Sequence, residues 1–341
     1  MPATPDYMHY PIDGVPQTGE RLPIADGIDW IRMPLPFLLG HINLWLLRDG
    51  DNTTIVDTGL NSKETQDIWL TLLGEKSVNR VVVTHMHPDH VGSAGWLCRE
   101  FDAPLLMSRA EYLMCRVLVA DTGREAPAAG VAFYRAAGFN QESLDNYVSR
   151  FGGFGKAVSA MPDAYQRLMD EQTLSIGEGQ WQVITTSGHC PEHASLYDAK
   201  RKLLIAGDQL LPTISSNVSV WPTEPDADPL GAWLSSCHHL KDVLDDDVLV
   251  LPSHGKPFTG AQGRLDALIE EHETGLAKLV ELCREPKRAV DVFSALFKSR
   301  ISDGNLIMAT GESVAHLNYL LHRGAISRHR DDAGVDWYET I

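Results

Sequence analysis

Hydrophobic runs long enough to cross a bilayer are absent from the 341-residue sequence. A spanning helix needs about 18 or more consecutive apolar residues, and His41 and Asn43 interrupt the most apolar stretch, residues 35–47. The first 14 residues also lack the basic start and the apolar segment of a secretory signal. We therefore expect no membrane partner and a cytoplasmic location.

Cysteine pairs with metal-binding or redox spacing are also lacking. The chain has five cysteines, an odd number, and none of them forms a C-x-x-C pair. Disulfide-stapled domains are small and usually carry an even number of cysteines. The pattern therefore predicts free thiols in a reducing compartment. The five residues are Cys98, Cys115, Cys190, Cys237 and Cys283.

Basic residues are scarce relative to acidic ones. Lys and Arg total 29, Asp and Glu total 46, and the formal net charge is −17. An acidic chain repels the phosphates of nucleic acids and of anionic lipids, so we expect neither as a partner. Hydrophobic residues make up 43% and charged residues 22%, which is typical of a globular protein that can bury a large core.

Strand-like and helix-like segments alternate through the middle of the chain. After an irregular N-terminal arm at 1–27, this alternation predicts a layered α/β catalytic domain at 28–263. A mostly helical region follows at 264–341 and ends in two strand-like runs. At about 100–200 residues per domain, the length fits this division.

Residues 108–170 interrupt the alternation, and their spacing predicts several helices, the last of them at 162–170. This helical insert is rich in aromatic residues. Two roles are open for it: a cap that lines a substrate pocket, or a layer that only thickens the fold. Its FGGFG segment at 151–155 lacks the lysine and the preceding strand of a phosphate loop, so we interpret it as a flexible turn.

A dense polar group, HMHPDH from His85 to His90, directly follows a β-branched strand-like run. Three imidazoles and a carboxylate within six residues are costly to bury in a core. Neutral histidine is the commonest metal ligand, and aspartate is its natural oxygen partner. A loop at a strand end can direct several side chains to one point. The spacing H-x-H-x-D-H therefore predicts a metal site rather than a solvated turn.

Three more polar residues follow apolar strand-like runs in the same way: His189 in TTSGH, Asp208 in LLIAGD and His254 in LVLPSH. Each of them alone is typical of an ordinary turn. Together with His85 they would bring four strand ends to one edge of the sheet. Their joint occurrence in this order supports a shared site.

These motifs, with the Asp57-Thr58-Gly59 segment before them, resemble those of the metallo-β-lactamase-fold hydrolases over roughly residues 28–260. The resemblance implies a four-layer αββα sandwich of the α/β class with a helical insert. It also implies a dinuclear metal site. The mostly helical C-terminal region resembles the winged-helix-like tail of some family members.

The resemblance implies a role for each residue of the site. Asp57 would hydrogen-bond a ligand and fix its orientation. His193 competes with His189 for its role, and the motif G-H-x-x-x-H favours the first histidine as ligand and leaves His193 in a supporting position. One metal ion would be bound by His85, His87 and His189, and the other by Asp89, His90 and His254, with Asp208 bridging the two.

Two other groups resemble metal ligands. Cys190 adjoins His189 and could bind as a thiolate, but the family usually has a small hydroxyl residue there, which favours a bystander. The run Cys237-His238-His239 lies in a predicted helix. Adjacent helical side chains diverge in direction, so a solvated helix face is the better interpretation.

The two implied ions are divalent, with zinc favoured and iron or manganese as alternatives for mixed histidine and carboxylate ligands. Two such ions share a water and lower its pKa towards about 7, and the bridging hydroxide attacks the substrate. Asp89 would orient the hydroxide and take its proton, and Asp208 would hold the two ions together. No protein nucleophile is needed, in agreement with the absence of a G-x-S-x-G motif.

Within this family, the sequence favours hydrolysis of a carboxylic ester, thioester or lactone, as in glyoxalase II, with a small-molecule acyl substrate as partner. Class B β-lactamases lack the bridging aspartate that Asp208 would supply, so hydrolysis of β-lactam antibiotics is disfavoured. The best-known lactonases have a tyrosine where this chain has Leu211, so a lactonase of that particular type would lack its carbonyl-polarising hydroxyl group.

Two alternatives are a phosphodiesterase or ribonuclease and a mononuclear iron persulfide dioxygenase of the same fold. Residues 1–263 contain 19 basic and 33 acidic residues, a net charge of −14, which disfavours a polyanionic substrate. The iron persulfide dioxygenases use fewer of the seven ligand residues, so the complete set in this chain disfavours that alternative. The C-terminal region, with 10 basic and 13 acidic residues, would shape the pocket, mediate a homodimer or serve only as a structural cap, rather than bind DNA.

Overall fold

The computed structural model describes residues 4–36 and 39–341. The first three residues of the predicted N-terminal arm, and two residues of the apolar stretch 35–47, lie outside the described residues. The rest of the arm consists mainly of turns, and one isolated bridge pairs His9 with Thr259. The first strand, β1 (Leu22–Ala25), begins near the end of the arm.

Seven strands form the first sheet and follow one another in chain order from edge to edge. The first four are antiparallel neighbours. From the fourth strand on the pairing is parallel, because helical segments connect these strands. After β1 the strands are β2 (Ile28–Pro34), β3 (His41–Asp49), β4 (Asn52–Val56), β5 (Ser77–Val82), β6 (Leu105–Ser108) and β7 (Gln166–Leu168).

Five strands form the second sheet, in the spatial order β12-β11-β10-β9-β8. Its neighbours are antiparallel except for the last pair in the chain, which is parallel because a long helix separates the two strands. The strands are β8 (Thr173–Ile176), β9 (Gly179–Thr186), β10 (His193–Asp198), β11 (Leu203–Gly207) and β12 (Leu249–Pro252).

Helices cover the outer face of each sheet. The first sheet is covered by α1 (Lys63–Leu73), α3 (Ala94–Glu100) and α4 (Arg109–Ala120). The second sheet is covered by α7 (Pro229–Val243), α8 (Ala261–Leu282) and α10 (Leu306–His322). The shorter helices are α2 (Pro88–Val91), α5 (Ala128–Ala136), α6 (Gln141–Arg150) and α9 (Phe293–Leu296).

A dry core lies between the two sheets. Its largest side chains are the indoles of Trp30, Trp45 and Trp181, each at most 1% exposed. Alternate residues of the strands face this core, and most of the others face the helices. Alternate residues of β8 and of the first half of β9 are exposed instead. The order helix, sheet, sheet, helix confirms the predicted αββα sandwich of the α/β class with a helical insert.

The insert contains α4, α5 and α6, but the predicted helix at 162–170 is wrong. The chain there forms β7, which pairs in parallel with β6 at the edge of the first sheet. Leu168 is fully buried by this pairing, while Gln166 is exposed. The conformation of this short segment depends on its hydrogen bonds to the open edge of β6. A hydrophobic pattern within nine residues contains no information about a strand that lies elsewhere in the chain.

Aromatic residues of the insert pack mainly among themselves. Tyr134, Phe139, Leu144 and Tyr147 form a small buried cluster, in which the rings of Tyr134 and Phe139 are 5.0 Å apart. Side chains of the C-terminal region, including Leu306, complete this cluster. These aromatic side chains therefore attach the insert to the C-terminal region.

The C-terminal region is helical in α8 and α10 and ends in the predicted two strands, β13 (Ile326–Arg330) and β14 (Asp336–Thr340). Its winged-helix character and the domain boundary near 263 stay predictions. Among the described residues, none of the helices combines the length and the apolar character that crossing a bilayer requires. All five cysteines are buried and free, in agreement with the odd number.

The contact between α3 and the end of the insert yields a stability prediction. Gly95 lies within α3, and a Cβ there would be 2.0 Å from the carbonyl oxygen of Ala160. Alanine is normally better than glycine in a helix by about 1 kcal/mol, but here Gly95→Ala should lower the free energy of unfolding by about 2 kcal/mol because the backbone must shift.

Urea denaturation of the full chain measures this effect. Gly275→Ala in α8 is the matched control, because the nearest atom to its Cβ would be a flexible Leu296 methyl group at 3.1 Å, followed by the His316 ring at an ordinary contact distance of 3.9 Å. We expect that variant to stay within about 1 kcal/mol of the wild type. A Gly95→Ala variant as stable as this control would contradict the packing described here.

Candidate metal centre

The polar residues that follow the strands meet at one edge of the two sheets. After β5 the chain passes through His85 and His87 into the single turn of α2, which carries Asp89 and His90. Pro88 at the first helical position presets the backbone angle of that turn. From the second sheet, His189 follows β9, Asp208 follows β11 and His254 follows β12.

Four of these side chains form one cluster, in which one potential ligand atom from each lies within 4.8 Å of the others. His85 Nε2 is 2.9 Å from His87 Nδ1 and 3.3 Å from His189 Nε2. Asp208 Oδ2 is 3.4 Å from His189 Nε2 and 3.9 Å from His85 Nε2. Three imidazole nitrogens and one carboxylate oxygen therefore surround a single point.

Asp89, His90 and His254 form a second cluster within the same limit. Asp89 Oδ2 is 3.4 Å from His254 Nε2 and 3.9 Å from His90 Nε2. The other oxygen of Asp208, Oδ1, is 3.4 Å from His90 Nε2 and 3.5 Å from His254 Nε2. The two oxygens of Asp208 thus face different clusters.

Hydrogen bonds on the outer side of the rings determine which nitrogen faces the clusters. His189 Nδ1 donates to the carbonyl oxygen of Asn217 at 2.7 Å, and His254 Nδ1 donates to that of His41 at 3.0 Å. A carbonyl oxygen only accepts, so each Nδ1 carries a proton, and the Nε2 that faces the cluster is the nitrogen left to bind a metal ion. Metal-binding histidines are oriented in this way.

Asp57 supports His90 from the first sheet. Its Oδ2 accepts a hydrogen bond from His90 Nδ1 at 2.8 Å, and its Oδ1 accepts one from the Thr84 N–H at 2.8 Å. Asp57 has a φ of +61°, a left-handed conformation that is uncommon outside glycine. A strained backbone thus holds a buried carboxylate against the outer nitrogen of His90, the contact that the sequence suggests for Asp57.

Two polar atoms of the clusters are buried and have no hydrogen-bond partner among the described residues: His90 Nε2 and Asp208 Oδ1. An unpaired buried polar atom costs free energy. A cation in the cluster would satisfy both atoms at once. The donor set, imidazole nitrogens with carboxylate oxygens, therefore fits divalent metal ions.

The charges of the first cluster suit a cation as well, whereas in the second cluster the neighbouring carboxylates outweigh burial and raise the pKa of His90 and of His254. Burial lowers the pKa of His85 well below its usual value and that of His87 to about 3, and neighbouring imidazoles add to both shifts. Burial alone would raise the pKa of Asp208, but His90 and His254 hold it well below its usual value. Neutral imidazoles and ionised carboxylates are the forms that bind metal ions.

His193 lies next to the first cluster but outside both. It begins β10, its ring centroid is 5.0 Å from that of His85, and its Nε2 accepts the Asp208 N–H at 3.2 Å. Gly207 makes this contact possible, since it has a φ of +53° and a Cβ there would be 2.4 Å from His193 Nε2. His189, and not His193, contributes a nitrogen to the cluster.

The other candidate ligands lie elsewhere. Cys190 is buried and belongs to neither cluster. On α7, Cys237 faces the core, whereas His238 and His239 are exposed. The helix face with the two histidines is therefore solvated, as the sequence argument expects.

Glu111 in the insert is a residue of the site that the sequence argument missed. It is fully buried, its Oε2 accepts the Met86 N–H at 2.9 Å, and its Oε1 accepts the Glu192 N–H at 2.8 Å. One carboxylate thus fastens the loop of His85 and His87 to the loop that follows His189. The only feature of the sequence that could indicate its role is its spacing: Glu111 lies four positions before Cys115, which places an acidic side chain on the buried face of α4.

Comparison with known proteins places the chain in a family. The family model described as the metallo-beta-lactamase superfamily matches residues 38–254. A second model, described as the metallo-beta-lactamase-like C-terminal domain, matches residues 276–341.

Relatives and solved structures agree with these matches. The probable metallo-hydrolase YqjP of Bacillus subtilis is 26% identical over 316 residues, 88% of this chain and 93% of the relative. The acyl-coenzyme A thioesterase MBLAC2 of Homo sapiens is 26% identical over 251 residues, 69% of this chain and 80% of the relative. The crystal structure of a beta-lactamase domain protein from Burkholderia ambifaria is 36% identical and covers 98% of both chains, with a TM-score of 0.89.

The position of Glu111 yields a prediction about the metal-binding loops. Glu111→Ala leaves two buried N–H groups without an acceptor, so the free energy of unfolding should fall by about 2 kcal/mol. The displaced loops should also weaken Zn²⁺ binding roughly tenfold. Glu111→Gln keeps one acceptor oxygen, so it should lose less stability and less zinc affinity than Glu111→Ala.

Urea denaturation and competition titration with a chromophoric chelator measure the two quantities. Glu142→Ala is the matched control, because Glu142 also lies in the first turn of a helix of the insert but is exposed. Equal zinc affinities for Glu111→Ala and Glu142→Ala would show that Glu111 does not position the loops.

Proposed function

The chain belongs to the metallo-beta-lactamase superfamily and has the fold of a metallo-hydrolase, and we propose that it cleaves a carboxylic ester or thioester at a pair of divalent metal ions. The observation that carries the proposal is the position of Asp208. Its Oδ2 faces the cluster of His85 and His189, and its Oδ1 faces that of His90 and His254. A carboxylate between two sets of imidazoles is suited to bridge two ions.

We assign the two clusters to two ions. The two oxygens of Asp208, which face different clusters, and the convergent imidazole nitrogens support this assignment, and Asp57 would act by orienting His90. The ligands of one ion would be His85, His87 and His189, those of the other Asp89, His90 and His254, and Asp208 would be shared.

When bound, two such ions would lower the pKa of a coordinated water and neutralise negative charge that develops on the substrate. Zinc is the first candidate because it binds imidazole and carboxylate ligands readily. Iron and manganese suit the same mixed ligands.

Asp89 is the residue that we assign to proton transfer. Its side chain is 19% exposed, so it reaches the rim of the site, and its Oδ2 lies 3.4 Å from His254 Nε2. Burial would raise the pKa of Asp89, but His90 and His254 keep it below the usual value. An ionised carboxylate at the rim can orient the attacking water and accept its proton.

A protein nucleophile is not part of this proposal. Cys190 adjoins His189, but burial and the neighbouring Glu111 carboxylate raise the pKa of its thiol well above the usual value. A protonated, buried thiol is a poor nucleophile. The attack is therefore assigned to water.

A small-molecule acyl substrate is the partner that the proposal implies. The human relative is named an acyl-coenzyme A thioesterase and is 26% identical, which supports a thioester as the first substrate class to test. The net charge of the chain, −17, disfavours a nucleic-acid substrate. A lactone contains the same electrophilic carbonyl group and belongs to the same proposal.

Replacing Asp208 tests the bridging role. Asp208→Ala removes both oxygens that face the clusters, so metal content should fall below about two ions per chain and thioester turnover should fall at least about a hundredfold. The circular dichroism spectrum should not change, because Asp208 lies outside the hydrophobic clusters. Elemental analysis and initial rates measure the outcome.

The exposed Asp242 on α7 provides the control, Asp242→Ala, which should keep wild-type metal content and rate. An Asp208→Ala variant that behaves like this control would refute the bridging role. A wild-type stoichiometry of one ion or fewer would refute the dinuclear site.

A substrate panel tests the reaction class. The zinc-loaded protein is assayed on an acyl-coenzyme A thioester, an aryl ester, a lactone and bis-p-nitrophenyl phosphate. We expect kcat/KM to be highest for one of the three carbonyl substrates, because the acidic chain repels phosphodiesters. A preference for the phosphodiester would favour the phosphodiesterase alternative, and oxygen consumption by the iron-loaded protein with a persulfide would favour the iron dioxygenase.

A further inference from the structure

Helix α10 of the C-terminal region contacts the segment that connects Asp208 to α7. The Val220 N–H donates to the Gly311 carbonyl oxygen at 3.0 Å. Glycine permits this approach, because a Cβ at Gly311 would lie 2.8 Å from the Ser219 side chain. The segment and the helix therefore meet in direct backbone contact.

Asn217 links this contact to His189 in the first cluster of potential ligands. Its main-chain oxygen accepts the His189 Nδ1–H at 2.7 Å. Its side-chain Nδ2 donates to Glu312 Oε2 at 2.6 Å and to the Met308 carbonyl oxygen at 3.4 Å, and its Oδ1 accepts from Ser219 Oγ at 2.6 Å. Two of these three side-chain contacts come from α10.

We propose that Glu312 is a positioning residue of the metal centre: it fixes the Asn217 side chain and thereby the carbonyl group that orients His189. The inference rests on the proposed metal site. It adds that the C-terminal region is part of that site, although it supplies no ligand to either cluster. Metal affinity would then depend on a hydrogen bond between α10 and the segment that carries Asn217.

A carboxylate is suited to this role because it only accepts hydrogen bonds. The Asn217 amide must therefore turn Nδ2 towards Glu312 and Oδ1 towards the Ser219 hydroxyl, which leaves one orientation of the side chain. Burial raises the pKa of Glu312 to about 7, and the hydrogen bond from Asn217 opposes this shift. The contact with Asn217 thus favours the ionised, accepting form.

A packing role without a directed hydrogen bond is the main alternative. Two substitutions separate the two roles. Glu312→Met keeps nearly the same volume but has no strong acceptor, whereas Glu312→Gln keeps one acceptor oxygen. A packing role predicts wild-type behaviour from both variants, and a positioning role predicts that only the glutamine variant stays close to the wild type.

Zinc binding to the metal-free full-length chain measures the effect without any substrate. In a competition titration with a chromophoric chelator, Glu312→Met should bind Zn²⁺ roughly tenfold more weakly than the wild type, and Glu312→Gln less than about threefold more weakly. The thermal midpoints of the metal-free variants should stay within about 2 °C of the wild type. Glu273→Met, at an exposed position of α8, should leave zinc affinity unchanged.

A double-variant cycle tests whether Glu312 acts through Asn217. Asn217→Ala keeps the main-chain carbonyl but removes the side chain that Glu312 holds, so it should weaken zinc binding about as much as Glu312→Met. The double variant should bind zinc no more weakly than either single variant, because both changes break the same hydrogen bond between Glu312 and Asn217.

Wild-type zinc affinity in Glu312→Met, or losses that add in the double variant, would overturn the inference. A wild-type chain that fails to bind Zn²⁺ would overturn the proposed function and this inference together. A chain that binds zinc with the expected pattern but hydrolyses no carbonyl substrate would overturn the proposed function alone.

Discussion

A buried carboxylate between two groups of imidazoles is the constraint on which the rest of the structure depends. The charge of Asp208 could not persist at this depth without the compensating charges and donors around it. His90 and His254 lie on one side of it, and His85 and His189 lie on the other. The strands, the single turn of α2 and the strained backbone of Asp57 all serve to bring these groups to one edge of the sandwich.

Segments outside the central sandwich also take part in this arrangement. The insert reaches the ligand loops through the buried carboxylate of Glu111, and the C-terminal region reaches Asn217 through Glu312. The same two segments pack on each other through the cluster around Tyr134. Each supplies one acidic side chain that hydrogen-bonds a loop next to the two clusters.

The sequence predicts well which side chains meet at the candidate site, because their positions follow from topology. A polar residue directly after an apolar strand, as at His189, Asp208 or His254, must lie at the end of a sheet. The residues that support the ligands are harder to predict. Glu111 and Glu312 act through hydrogen bonds to loops far away in the chain, which leave no periodic pattern. The strand β7 was missed for a related reason, since its conformation depends on the free edge of β6.

The proposed ligands are divided between the two sheets: His85, His87, Asp89 and His90 follow a strand of the first, and the others follow strands of the second. An ion bound there would fasten the halves of the sandwich to each other, and opening either half would release it. By mass action, an ion at a hundred times its dissociation constant adds about 2.7 kcal/mol to the free energy of unfolding. The supply of metal in the cell would therefore govern how long the folded chain survives proteolysis, independently of any substrate that it turns over.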